Sequence, residues 1–158
     1  MIFMSQSESE FHKETAKKCF NEAWDYLDKK NRTAEDEQQM LHLAHAARYH
    51  RSFVGTARNF AVGDWQLSRV YAALNEPRLA LQFAKSALEI TQKNNLLENL
   101  PSAYEGMARA YAVAKEKRSA MEYIKKAREA LDKATGMGAE DKKIYSDQIV
   151  ETEALLKQ

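Results

Sequence analysis

A single cysteine (Cys19), two prolines and five glycines among 158 residues close off several options at once. One cysteine permits neither an intrachain disulfide nor a multi-cysteine metal site, and its place among Ala16, Phe20 and Ala23 reads as a buried, inert thiol. Few prolines and glycines mean few helix breakers, and Ala, Glu, Lys, Leu and Arg dominate, the composition of long helices with little strand. The formal net charge is only +1, so no large one-signed field draws in a nucleic-acid backbone or an anionic membrane. The opening Met1-Ile2-Phe3-Met4 is too short for a signal-peptide core, and no run approaches ~18 apolar residues. Gly-rich phosphate loops, nucleophile elbows and HExxH are absent, so nothing signals catalysis, a cofactor or a metal. The expectation is a soluble, cytoplasmic, all-α protein forming one domain over residues 1–158.

The chain also repeats itself at a spacing of about 40 residues, the range of stacked helix pairs. Three segments align as Met40-x3-Ala44-x2-Ala47, Ala80-x3-Ala84-x2-Ala87 and Ala120-x3-Ile124-x2-Ala127. Upstream of each lies a second pattern: Trp24-x2-Leu27, Asp64-x2-Leu67-Ser68-x2-Tyr71 and Tyr104-x2-Met107-Ala108-x2-Tyr111. Small residues at fixed helical positions let two backbones approach closely, so these patterns mark where helices touch.

This order of a large residue, Leu, a small residue and Tyr, followed by Ala-x3-aromatic and a further Ala, resembles the tetratricopeptide repeat. The second block (about 63–92) and third block (about 103–133) follow it without the terminal Pro. The first (about 22–52) keeps Trp24, Leu27, Ala44 and Ala47 but has Asp28 and Asn31 at the small and Tyr positions. The resemblance implies a right-handed α-solenoid of three antiparallel helix pairs plus a C-terminal capping helix. It also implies binding of a protein or peptide in a concave groove.

Local signals place the helices. Ser5-x-x-Glu8, Ser7-x-x-Glu10 and Thr33-x-x-Asp36 read as capping boxes opening helices that run to about Lys30 and Phe53. Gly55 turns the chain into a helix over about 58–74, and Pro77 suits the first turn of a helix ending near Asn94-Asn95. A fifth helix runs from Leu96 or Pro101 to Ala114, and a sixth follows Lys115-Glu116-Lys117 up to Ala134. Gly136 and Gly138 then break the chain. A seventh, from Ala139 to about Leu156, carries Ile144, Ile149 or Val150, and Leu155, and suits a cap on the last pair.

Two clusters are candidate sites. His42, His45, Arg48, Tyr49 and His50 crowd one helix, where Met40, Leu43, Ala44, Ala47 and Val54 form the core stripe. His42, His45, Tyr49 and Phe53 fall on nearly the opposite face, while His50 packs partly inside. Two histidines at i and i+3 can converge on one metal, but a third ligand is missing. The second cluster is Trp65 and Arg69, on one face away from Leu67, Val70, Tyr71 and Leu74.

By the resemblance, Trp65 and Arg69, Glu105 and Arg109, and Asp25 and Lys29 line the concave groove. Trp65 would be an apolar anchor, and Arg69 and Arg109 would meet carboxylates of an acidic partner. Alternatively, Trp65 fills a gap between helices and the arginines pair with neighbouring carboxylates. Two further readings stay open. One is a small-molecule or metal-dependent site, with enzymatic activity, built around His42, His45, Arg48, Tyr49 and Trp65. The other is a homodimer formed through the His42, Tyr49 and Phe53 face.

Overall fold

The computed structural model describes residues 3–158; Met1 and Ile2, from the apolar opening, lie outside the described residues. Among these there are seven α-helices and no strand: α1 (Gln6–Leu27), α2 (Ala34–Val54), α3 (Ala57–Ala73), α4 (Pro77–Lys93), α5 (Leu100–Val113), α6 (Lys117–Lys133) and α7 (Ala139–Leu155). A 3-10 turn, Leu97–Asn99, leads into α5. None of the helices is long and apolar enough to cross a membrane.

Helix starts follow from side chains that satisfy the orphan amides of the first turn. Ser5 with Glu8 and Thr33 with Asp36 form reciprocal capping boxes on α1 and α2. A third box, Thr56 with Asn59, opens α3 one residue earlier than the periodicity alone suggests. The turns after α3, α4 and α5 each hold one residue in the left-handed region, Asn75 (φ 56°), Asn95 (φ 52°) and Lys115 (φ 63°). Each returns an amide to the helix just ended, as Glu76 N–H does to Tyr71 O (2.9 Å) and Glu116 N–H to Tyr111 O (3.0 Å).

The helices pack most extensively as α1 with α2, α3 with α4 and α5 with α6, and consecutive pairs meet through α2–α3, α4–α5 and α6–α7. α3 also touches α5, and α5 touches α7. The register residues lie at these crossings: Met40, Ala44, Ala47, Ala80, Ala84, Ala87, Ala120, Ile124 and Ala127 are all buried. Apolar clusters follow one another along the array. The first centres on Met40, Leu43, Leu67 and Val70, the second on Ala80, Ala84 and Met107, and the third on Ile124, Leu131 and Ile149. α7 covers the third cluster with Tyr145 and Ile149, and Leu156 adds to it just past the helix end. Of the other apolar positions read for that helix, Leu155 is half-buried, while Ile144 and Val150 face outward.

Candidate functional site

Trp65, Arg69, Glu105 and Arg109 are brought together, but as an interior seam. Trp65 Nε1 donates to Glu105 Oε2 at 3.1 Å, and Arg109 Nε donates to Glu105 Oε1 at 2.8 Å. Thr152 of α7 donates its hydroxyl to the same Oε1 at 2.7 Å. Arg69 lies 3.7 Å from Glu105 and donates to Glu151 Oε2 at 3.0 Å, which Arg109 also approaches at 3.4 Å. The Arg69 guanidinium lies over the Trp24 ring, 5.1 Å from its centroid.

Glu105 is 2% exposed and Trp65 7%. The expectation of an accessible Trp65 ring is therefore corrected: the ring is enclosed between Trp24 of α1 and the α5 backbone at Gly106. A Cβ at Gly106 would sit 3.0 Å from Trp65 Cδ1, so the glycine sets how closely α5 approaches. α7 completes the seam: by placing Glu151 opposite the arginines it supplies the carboxylate expected of a partner, and its Thr152 adds a hydroxyl to Glu105.

The seam is not fully satisfied, since Arg69 Nε and Nη1 are buried without a hydrogen-bond partner. Burial pushes the Glu105 carboxyl up, but Arg109, Arg69 and the Thr152 hydrogen bond outweigh it and hold the group below its ordinary value. Burial and the neighbouring Arg109 charge lower Arg69, with Glu105 and Glu151 working the other way. Asp25 and Lys29 do not join the seam. Asp25 is exposed on α1, and Lys29, exposed just beyond its end, pairs with Asp36 at 2.8 Å.

His42, His45, Arg48, Tyr49 and Trp65 are dispersed. His42 is exposed. His45 Nε2 hydrogen-bonds the Tyr71 hydroxyl at 2.8 Å beside Phe83, and burial followed by the charge of His42 lowers its pKa. Arg48 turns to α3, donating to Asp64 at 2.9 Å under the Phe60 ring, while Ser86 donates to the other Asp64 oxygen at 2.6 Å. Gly63 makes room for the Arg48 stem, since a Cβ there would lie 2.8 Å from Arg48 Cδ. Among the described residues, no three His, Cys, Asp or Glu side chains come together as metal ligands. Cys19 is half-buried against the first core cluster, and burial and Glu22 raise its thiol pKa, so it has little thiolate character.

Tyr49 belongs to a different constellation. It meets His50 and Phe53 edge-on, and Phe53 stacks on His12 of α1 at 4.2 Å between centroids with an 8° interplanar angle. His12 Nδ1 and His50 Nδ1 are 2.8 Å apart, and Phe11 packs edge-on against both rings. Phe11 and Tyr49 are each 61% exposed and Phe53 46%. The sequence reading missed His12 and Phe11 because they lie on another helix, 38 residues from His50 in the case of His12. The pairing of α1 with α2 joins them. In comparison with known proteins, the chain matches no family model, no curated protein and no solved structure.

Proposed function

We propose that the protein is a tetratricopeptide-like helical-repeat adaptor that binds a protein partner, and that it does so through the aromatic face of α1 and α2. The observation that carries this reading is the exposed group of Phe11, Tyr49 and Phe53 around the His12–His50 pair. Exposed aromatic side chains that already pack on one another bring large apolar area to an interface at small entropic cost, which is why Tyr and Phe are enriched there. The register of buried alanines, the order of helix pairing and the capping position of α7 support the repeat architecture.

The concave wall is the weaker surface. Its arginines already contact Glu105 and Glu151, so an acidic partner would compete with these carboxylates. The small-molecule or metal reading has no observation behind it, since its residues point to separate surroundings.

Affinity capture with the wild-type protein and a Tyr49→Ala, Phe53→Ala double variant tests the proposal. The expected result is loss of the proteins held by wild type, with Lys142→Ala, at a half-buried position of α7 away from that face, retaining them. Sedimentation at increasing concentration separates the homodimer, in which a second copy occupies the face. Equal capture by the double variant and wild type overturns the reading.

A further inference from the structure

The wall formed by α3, α5 and α7 carries more positive charge than its carboxylates answer. A cleft of about 310 Å³ opens on it, lined by Arg32, Arg69, Arg109 and Glu151, with Leu27 and Leu155 among its apolar lining. The three guanidinium groups come from different elements: Arg32 from the turn between α1 and α2, Arg69 from α3 and Arg109 from α5. Two carboxylates meet Arg69 and Arg109, the buried Glu105 and the α7 residue Glu151. Arg32 forms no ion pair among the described residues. Its Nη1 donates to the backbone oxygens of Tyr26, Leu27 and Lys29 at 3.4, 3.1 and 3.3 Å, and its Nε is buried without a partner.

Arg69 is short of acceptors as well. A guanidinium can donate in several directions, yet the one hydrogen bond Arg69 makes runs to Glu151, and its Nε and Nη1 are buried with no acceptor. Burial first, and the Arg109 charge second, lower its pKa, the direction expected where cations crowd one another. Glu151 is the adjustable member of the group. The same Oε2 meets Arg69 Nη2 at 3.0 Å and Arg109 Nη2 at 3.4 Å, so it marks where an anionic oxygen sits on both guanidiniums. Its side chain is 58% exposed and can swing into water at little cost.

We infer that this cleft binds a small tetrahedral oxyanion of the phosphate class, which displaces Glu151 and accepts hydrogen bonds from Arg32, Arg69 and Arg109. Guanidinium forks pair with carboxylate or phosphate oxygens. A flat carboxylate presents its lone pairs in one plane, as Glu151 does to two of the arginines, whereas donors arriving from three elements fit an acceptor with oxygens on several sides. The carbonyls of Tyr26, Leu27 and Lys29 hold Arg32 in place beforehand, which lowers the ordering cost of binding. Displacing Glu151 leaves Glu105 where it is, so Trp65, Arg109 and Thr152 keep their shared partner. The site lies apart from the α1–α2 aromatic face and does not depend on it.

Calorimetric titration of the whole protein with inorganic phosphate, at constant ionic strength set with sodium chloride, tests the site. Saturable binding is expected, weakened at least roughly tenfold by Arg32→Gln and tightened at least roughly fivefold by Glu151→Gln, which removes the charge of the internal competitor. A purely structural network would give the second variant no gain. Arg32→Gln gives up bonds at the end of α1, so its melt is recorded alongside; should it not fold, Glu151→Gln decides alone. Glycerol phosphate in a parallel titration tells an ester head from the free ion, and saturable binding of either supports the site. No saturable heat with both probes, no gain in Glu151→Gln, or acetate binding as tightly as phosphate overturns the proposal. The Tyr49→Ala, Phe53→Ala variant should bind phosphate as wild type does. Failure here therefore leaves the reading of the α1–α2 face untouched.

Discussion

Trp65 and Glu105 occupy the same position in successive repeats, 40 residues apart, and are hydrogen-bonded to each other, indole Nε1 to carboxylate Oε2 at 3.1 Å. A position expected to line a groove in one block is thereby bonded to its equivalent in the next. Around this bond the two equivalent arginines, Arg69 and Arg109, both approach Glu105. The seam ties α3, α5 and α7 together where an open groove was expected.

Removing the carboxylate should leave two largely buried guanidinium groups facing each other with only the exposed Glu151 between them. Glu105→Ala is expected to destabilise the fold by about 3–5 kcal/mol, the cost of an uncompensated buried charge. Glu151→Ala, whose side chain is 58% exposed, should cost no more than about 1 kcal/mol. Urea unfolding of the two variants decides the matter. Equal losses would mean that the seam is not organised by Glu105.

The same carboxylate makes stability acid-sensitive. Its folded pKa lies below the ordinary 4.5, because the arginines outweigh burial. The unfolded chain therefore takes up the proton first, and the stabilisation, fully present above about pH 4.5, is lost as pH falls through the folded value. Urea midpoints of wild type should drop across that window. Those of Glu105→Gln should start lower and drop less, and parallel curves would assign the acid sensitivity to other groups.

Much of this molecule was legible in the sequence, for local reasons. Ser5 with Glu8 and Thr33 with Asp36 announce helix starts through side chains three residues apart, and the alanine register marks crossings through size alone. Thr56 with Asn59 escaped because an amide, not a carboxylate, closes that box. Periodicity placed Trp65 and Arg69 off the apolar stripe, which is correct, but a polar face can meet water or the polar face of another helix. Choosing between them required knowing that α7 brings Glu151 and Thr152 to the wall. The alternative pairing of the arginines with neighbouring carboxylates, also readable from the sequence, describes their contacts. His12 with His50 had no local signal at all.

Close approach of helices gives a third prediction. Ala87 and Ala127 are 1% and 0% exposed, so leucine at either should overpack a crossing and cost roughly 1–3 kcal/mol. Gly106→Ala should have a similar effect, since the added carbon would lie 3.0 Å from the Trp65 ring and 3.3 Å from Ser68 Oγ. Ala139→Leu, on exposed surface, is the control. If the core variants melt with the control, the register does not set the helix spacing.

The last prediction concerns the hairpin that carries the proposed binding face. A 2.8 Å contact between His12 Nδ1 and His50 Nδ1 needs one proton between the two nitrogens, so it survives while one ring is neutral and fails when both rings are charged. Burial first, and the His12 charge second, hold His50 below its ordinary 6.5. With the folded value below the unfolded one, stabilisation is present above about pH 6.5 and declines as pH falls toward the folded pKa. Losing a hydrogen bond worth about 1 kcal/mol should speed local opening roughly fivefold. Amide hydrogen exchange over residues 10–16 of α1, corrected for the intrinsic effect of pH, should therefore accelerate between about pH 7.5 and pH 5.5, bracketing the ordinary histidine range. The α6 amides should not respond. His50→Phe keeps an aromatic ring beside Phe11 and Tyr49 but removes the shared proton, so its α1 exchange should be flat over the same interval. A His50→Phe profile as steep as that of wild type would place the pH response elsewhere.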